Sequence, residues 1–221
     1  MVSFIHAIVG ALVAAGALAT PTKAYPAALG KRVYTNIRGE NNGFFFSFWT
    51  IGEYGNVTYT NGTAGSYSTT WSDVDGFTTG KGWRVAKPRN ITFSASVKAI
   101  AREWYISVYT STPKGETYIM ENHSEYNPCS APLATAKGTL HSDGSDYEVC
   151  EVDRGADFLQ NWSIRKDKRF NGTVTTANHY NYFAAQGMVH NPIEDADYQI
   201  FATESFLHGS GSANVTVSEA I

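Results

Sequence analysis

The sequence is short of cysteine, of concentrated charge and of long apolar runs. Its two cysteines, Cys129 and Cys150, stand at no spacing around which a metal site can be built. The net charge is −3 at pH 7 and no basic run is interleaved with aromatics, so the electrostatic footprint of a nucleic-acid binder is missing. The apolar stretch from Ile8 to Ala19 is shorter than the ~20 residues a membrane span needs, and Thr20-Pro21 interrupts it. No internal repeat or low-complexity linker appears, which argues against a modular array or an appended binding unit. Nucleic acid and membrane are therefore not expected as partners, and no metal or organic cofactor is expected.

What is present begins with an address. The run from Ile8 ends in Ala17-Leu18-Ala19, a small-x-small cleavage signal, so residues 1–19 are expected to be a signal peptide directing secretion, although the positive n-region is weak. Residues 20–32 end in Gly30-Lys31-Arg32 and read either as a short propeptide cut after the dibasic pair or as an ordinary amino-terminal tail. From Val33 onward the chain suits one domain with a substantial core, and nothing demands more than a monomer. An oxidising compartment favours a disulfide between Cys129 and Cys150 over two free thiols. Sequons begin at Asn56, Asn61, Asn90, Asn122, Asn161, Asn171 and Asn214, and several are expected on exposed turns or strand faces.

The body reads as all-β. Segments such as Gly43 to Trp49, Asn56 to Thr60, Ile91 to Val97, Trp104 to Tyr109 and Ala213 to Val217 carry Thr, Val and aromatic residues at strand spacing, and Asn61-Gly62 marks a hairpin turn. Strands at this spacing imply a sandwich or jelly roll. One segment, from about Thr176 to Gln186, has helical spacing, with Thr176 able to cap its start and Gly187 to end it.

Two of the strand-like segments, Gly115 to Met120 and Tyr198 to Glu204, each present a glutamate on an aromatic face. With a period of two, Glu116 points the same way as Tyr118, and Glu204 the same way as Tyr198, Ile200 and Ala202. Paired carboxylates beside aromatic rings suggest cleavage of a glycosidic bond. A single strand glutamate is more often a solvated surface residue.

Several separated stretches occur in an order that resembles the family 11 glycoside hydrolases, the endo-1,4-β-xylanases: Val57 to Gly62, Gly80 to Trp83, Ile106 to Tyr109, Tyr126 to Pro128, Asp143 to Ser145, Thr176 to His179 and the two glutamate segments. The resemblance implies a two-sheet jelly roll with one short α-helix, curved around a long cleft, with xylan or xylo-oligosaccharides as partner. It also supports the disulfide, since some members carry cysteines matching Cys129 and Cys150. Residue by residue, it implies that Glu116 is the nucleophile and Glu204 the acid/base residue of a retaining mechanism. Trp49 matches the family's sugar-stacking tryptophan, Tyr105, Tyr109, Tyr118 and Tyr198 match tyrosines lining the cleft, and Gln160 matches a cleft glutamine. Arg154 matches, across a gap, an arginine near the reacting sugar. Asp73 matches a position beside the acid/base residue where aspartate goes with acidic pH optima, so an acidic optimum is expected.

Departures from the family pattern bear on activity. Where the family has a long hairpin, the thumb, with a Pro-Ser-Ile tip, Arg154 here is followed only by Gly155-Ala156-Asp157 before Phe158-Leu159-Gln160. The connection from Tyr109 to Pro113 is shorter than usual and lacks a family tryptophan, and Lys114-Gly115 replaces apolar residues before Glu116. Losing a lid removes contacts that position substrate and exclude water. Two functions stay open on this reading: a secreted endo-xylanase weakened by a shortened thumb, and a catalytically weak or inactive carbohydrate-binding or plant-interacting protein on the same scaffold.

Overall fold

A computed structural model describes residues 34–51, 54–100 and 103–220; the expected signal peptide and propeptide lie outside the described residues. The strands are β1 (Tyr34–Asn41), β2 (Phe44–Ile51), β3 (Asn56–Asn61), β4 (Ser66–Trp83), β5 (Asn90–Ile100), β6 (Glu103–Thr112), β7 (Gly115–His123), β8 (Ala134–Ser142), β9 (Ser145–Asp153), β10 (Leu159–Arg165), β11 (Asn171–Thr175) and β12 (Gln199–Glu219). A single α-helix among the described residues, α1 (Thr176–Ala185), completes the jelly-roll architecture expected from the sequence.

Two long strands serve both layers. The first part of β12 pairs with β6 on one side and the last part of β4 on the other, and its second part pairs with β5 and the start of β4. One layer therefore runs β1-β2-β4-β12-β6-β7-β10-β9-β8, while β3, β5 and β11 belong with the outer halves of the long strands. The change of layer falls at Leu207 and His208, whose φ values of 56° and 60° accompany a register slip against β4. A bulge of this kind bends a strand and increases its twist.

Strict alternation divides the side chains. On β6, β7 and β12, Ile106, Val108, Ile119 and Phe201 face the core between the layers, where Phe201 stacks on Phe93 with ring centroids 4.2 Å apart. Each such buried side chain stabilises the fold by roughly 1.5–3 kcal/mol. Their neighbours Tyr105, Tyr109, Tyr118, Met120, Ile200 and Ala202 form a second buried cluster on the opposite face, the division that a period of two requires.

Local details depart from the expectations by small steps. The turn after β3 occupies residues 62–65, with Gly62 N donating to Ser66 O at 2.8 Å, rather than Asn61-Gly62 alone. The residue capping α1 is Thr175; Thr176 Oγ1 is used elsewhere, accepting from Arg89 N at 2.8 Å. Gly187, at φ 75°, does end the helix, and Met188 N closes back on Phe183 O at 2.9 Å. Cys129 and Cys150 are bonded across 21 residues, tying the turn Pro128–Ser130 to β9; a loop of that size corresponds to about 3 kcal/mol in the chain-entropy view. Of the sequons, Asn122 and Asn161 are buried because β7 and β10 lie inside the sheet, which leaves Asn56, Asn90, Asn171 and Asn214 as the exposed ones.

Candidate active site

Glu116 on β7 and Glu204 on β12 are separated in the sheet by β6 and are both fully buried, at 0% exposure. β6 supplies a tyrosine to each. Tyr109 Oη donates to Glu116 Oε1 at 2.7 Å, and Tyr105 Oη donates to Glu204 Oε2 at 2.9 Å. Tyr118 bridges the pair: its hydroxyl donates to Glu116 Oε2 at 3.0 Å while its ring meets Tyr105 edge-on at 5.9 Å. Alternation along β6 and β7 is what brings these groups to one face.

Glu116 has a third donor, Gln160 Nε2, at 2.6 Å. β10 runs parallel to β7 with Gln160 opposite Glu116, so the contact follows from register. The Gln160 amide is oriented from behind, because its Oε1 accepts from Arg154 Nε at 2.7 Å and from Trp162 Nε1 at 3.3 Å. With the oxygen occupied, only the NH2 is left to face the carboxylate. Glu204 has fewer partners: Thr78 Oγ1 donates to the same Oε2 at 3.0 Å, and Oε1 has no hydrogen-bond partner among the described residues.

These surroundings set the two carboxyls apart. Burial holds the pKa of Glu116 above its ordinary value, and the hydrogen bonds from Tyr109, Gln160 and Tyr118, with the Arg154 charge, offset part of that rise. Glu204 is held well above the usual carboxylate range, first by burial and then by the negative charge of Glu116, with Tyr105 and Thr78 opposing. Donors stabilise an ionised carboxylate, while desolvation and a like charge disfavour one. Glu116 is therefore the more readily ionised of the two, and Glu204 holds its proton to higher pH.

The remaining candidates fall around this pair. Trp49 lies on β2 opposite Thr78, which is itself opposite Glu204, so β4 connects the tryptophan to the second carboxylate. Tyr198 packs against Tyr109 at 6.0 Å and against Phe45 at 5.0 Å. Tyr126, quoted only within a matching stretch, and Trp162 were not expected as site residues, yet Trp162 stacks on Tyr118 at 3.9 Å and Tyr126 stacks on Tyr105 at 6.1 Å. Thr78 was missed as well; its place in Gly76-Phe77-Thr78-Thr79-Gly80, a strand pairing with the Glu204 segment, was the available signal.

Asp73 requires a correction. Its carboxylate is 2.9 Å from His208 Nδ1, its backbone N–H donates to Ser210 Oγ at 2.9 Å, and it makes no hydrogen bond to Glu204. The hydroxyls of Thr78 and Tyr105 hold the position beside Glu204 instead. The reason lies in the backbone: Asp73 has φ 50° and sits where β4 and β12 slip register, so face counting from Trp71 fails there. An acidic optimum set by an Asp73–Glu204 contact loses its basis.

β9 and β10 are joined by residues 154–158, a tight turn closed by Arg154 N to Phe158 O at 2.9 Å and Phe158 N to Gly155 O at 3.0 Å. Among the described residues no group of His, Cys, Asp and Glu is arranged to hold a metal ion.

A curved sheet that sets one carboxylate with three donors and a second, poorly satisfied one among tyrosines is the arrangement a carbohydrate-cleaving enzyme requires. The chain belongs to the glycosyl hydrolases family 11, whose description matches residues 41–216. It is 45% identical to Endo-1,4-beta-xylanase 2 of Rhizopus oryzae, across 99% of this chain and 100% of the relative. It is 44% identical to the Ethylene-inducing xylanase of Penicillium digitatum, again across 99% and 100%. A solved structure from a comparison of two major endo-1,4-β-xylanases of Trichoderma reesei superposes with a TM-score of 0.66 at 30% identity, covering 84% of this chain and 97% of that one.

Proposed function

We propose that this protein is a secreted endo-1,4-β-xylanase that hydrolyses internal bonds of xylan with retention of configuration. The observation that carries the reading is the unequal hydrogen bonding of two buried carboxyls, Glu116 and Glu204. Ionised Glu116 attacks the anomeric carbon as the bond from that carbon to the leaving oxygen breaks, and the proton of Glu204 passes to that oxygen. The covalent ester neutralises Glu116, which removes the like charge facing Glu204 and lowers its pKa. Glu204 then takes a proton from a water whose oxygen attacks the same carbon and releases Glu116. Trp49 and the cleft tyrosines supply flat apolar faces suited to pyranose C–H groups.

Residues 154–158 form a short turn between β9 and β10, which on this reading replaces the family's thumb. Substrate is consequently less enclosed, and positioning contacts are lost, so a high KM is expected. That same turn favours a second reading, a carbohydrate-binding protein with little turnover. Reducing-sugar release from arabinoxylan by the native protein and by Glu116→Gln separates them. The enzyme reading expects release from the native protein and a loss on the order of 10⁴-fold in the variant; xylan binding without release in either would establish the binding protein.

A further inference from the structure

Two arginines sit on aromatic rings at one end of the site face. The Arg38 guanidinium lies over the Tyr198 ring, 4.9 Å from its centroid, and that of Arg84 lies over the Phe45 ring at 5.2 Å. The two rings touch each other, with centroids 5.0 Å apart, and Tyr198 in turn packs against Tyr109, the donor to Glu116. Arg38 is opposite Ser47 in the β1–β2 register, two positions from Phe45, so it projects on the same face as Phe45 and Trp49. Arg84 follows directly on β4, at the end where β12 begins.

Both arginines are exposed, and among the described residues neither forms an ion pair or donates a side-chain hydrogen bond. Glu40, opposite Phe45 in the register, is paired with neither. The far end of the same face carries the opposite sign, with Glu103 facing Phe206. A guanidinium seated on a ring is fixed in place while its fork of donors stays available, which matches a planar carboxylate.

We infer that Arg38 and Arg84 form a carboxylate-binding subsite at the Phe45–Tyr198 end of the site, selecting xylan chains that bear uronic-acid branches over neutral ones. This rests on the xylanase reading for its substrate. Solvent exposure limits the gain to roughly fivefold for the two contacts together.

The test uses Glu116→Gln as a non-hydrolysing form and measures, by calorimetry at low salt, its binding of a xylo-oligosaccharide with one glucuronic-acid branch and of the unbranched oligosaccharide of equal length. The branched ligand is expected to bind roughly fivefold more tightly. Adding Arg38→Gln and Arg84→Gln, or raising the salt, should bring the two ligands within about twofold. Equal affinities at the outset, a preference that survives both substitutions, or no binding of either ligand would overturn the inference. Hydrolysis of neutral arabinoxylan by the native protein reads the enzyme assignment separately: a charge preference without hydrolysis keeps the subsite and removes the xylanase reading.

Discussion

Glu116 and Glu204 are the same residue type, equally buried, on strands of one sheet, and they differ in what surrounds them. Glu116 accepts from Tyr109, Tyr118 and Gln160, using both oxygens, with Arg154 behind the glutamine. Glu204 accepts from Tyr105 and Thr78 at a single oxygen, leaves the other unpaired among the described residues and feels the charge of its partner. Burial pushes both pKa values up, and the donor count decides how far each returns. Under the proposed mechanism, that difference lets one side chain take two roles through its neighbours, without a change in its own chemistry.

Removing the proposed acid is expected to have the largest effect. Glu204→Gln cannot give up a proton, so xylan hydrolysis should fall by about 10²–10⁴-fold and the alkaline limb of the pH profile should disappear. Substrates with an easily expelled aryl leaving group should lose much less, and an equal loss on both would count against Glu204 as the proton donor. Gln160→Ala removes one donor from ionised Glu116, which raises its pKa. The acid limb of kcat/KM should then move to higher pH, with a drop of roughly tenfold; an unmoved limb would mean that Gln160 does not support the ionised form.

Thr78→Val sharpens the other side. It keeps the shape of the side chain but takes away a donor that favours ionised Glu204, so the Glu204 pKa rises and the alkaline limb moves up by less than about one unit. A downward shift would contradict the assigned geometry. The smallest effect is expected at Asp73→Asn, which should leave both limbs in place because Asp73 is engaged with His208 and Ser210. Asparagine also tolerates the positive φ found there. A profile that moves would restore a link between Asp73 and Glu204.

Alternation made much of this site legible. On β6, β7 and β12 the face of every tyrosine and of both glutamates follows from counting by two, and the clusters Tyr105–Tyr109–Tyr118 and Ile106–Val108–Ile119 fall on opposite sides as the pattern requires. Counting fails at a bulge. Asp73 precedes a register slip against Leu207 and His208, so the residue reaching Glu204 is Thr78 rather than Asp73. Cross-strand identities were equally hidden: Gln160 meets Glu116 through a parallel pairing of segments distant in sequence, and Trp162 stacks on Tyr118 for the same reason. The helix start shifted by one residue because Thr176 Oγ1 bonds Arg89, a tertiary contact that outcompetes local capping.

The two carboxyls are expected to titrate apart, with Glu204 the later to ionise. Carbon-13 NMR of protein labelled at the glutamate carboxyl, followed across pH in native protein and assigned with Glu116→Gln and Glu204→Gln, measures this directly. The Glu204 signal is expected to titrate well above that of Glu116, and to fall to lower pH when Glu116→Gln removes the neighbouring charge. Coincident titrations, or a Glu204 signal that stays in place in that variant, would contradict this.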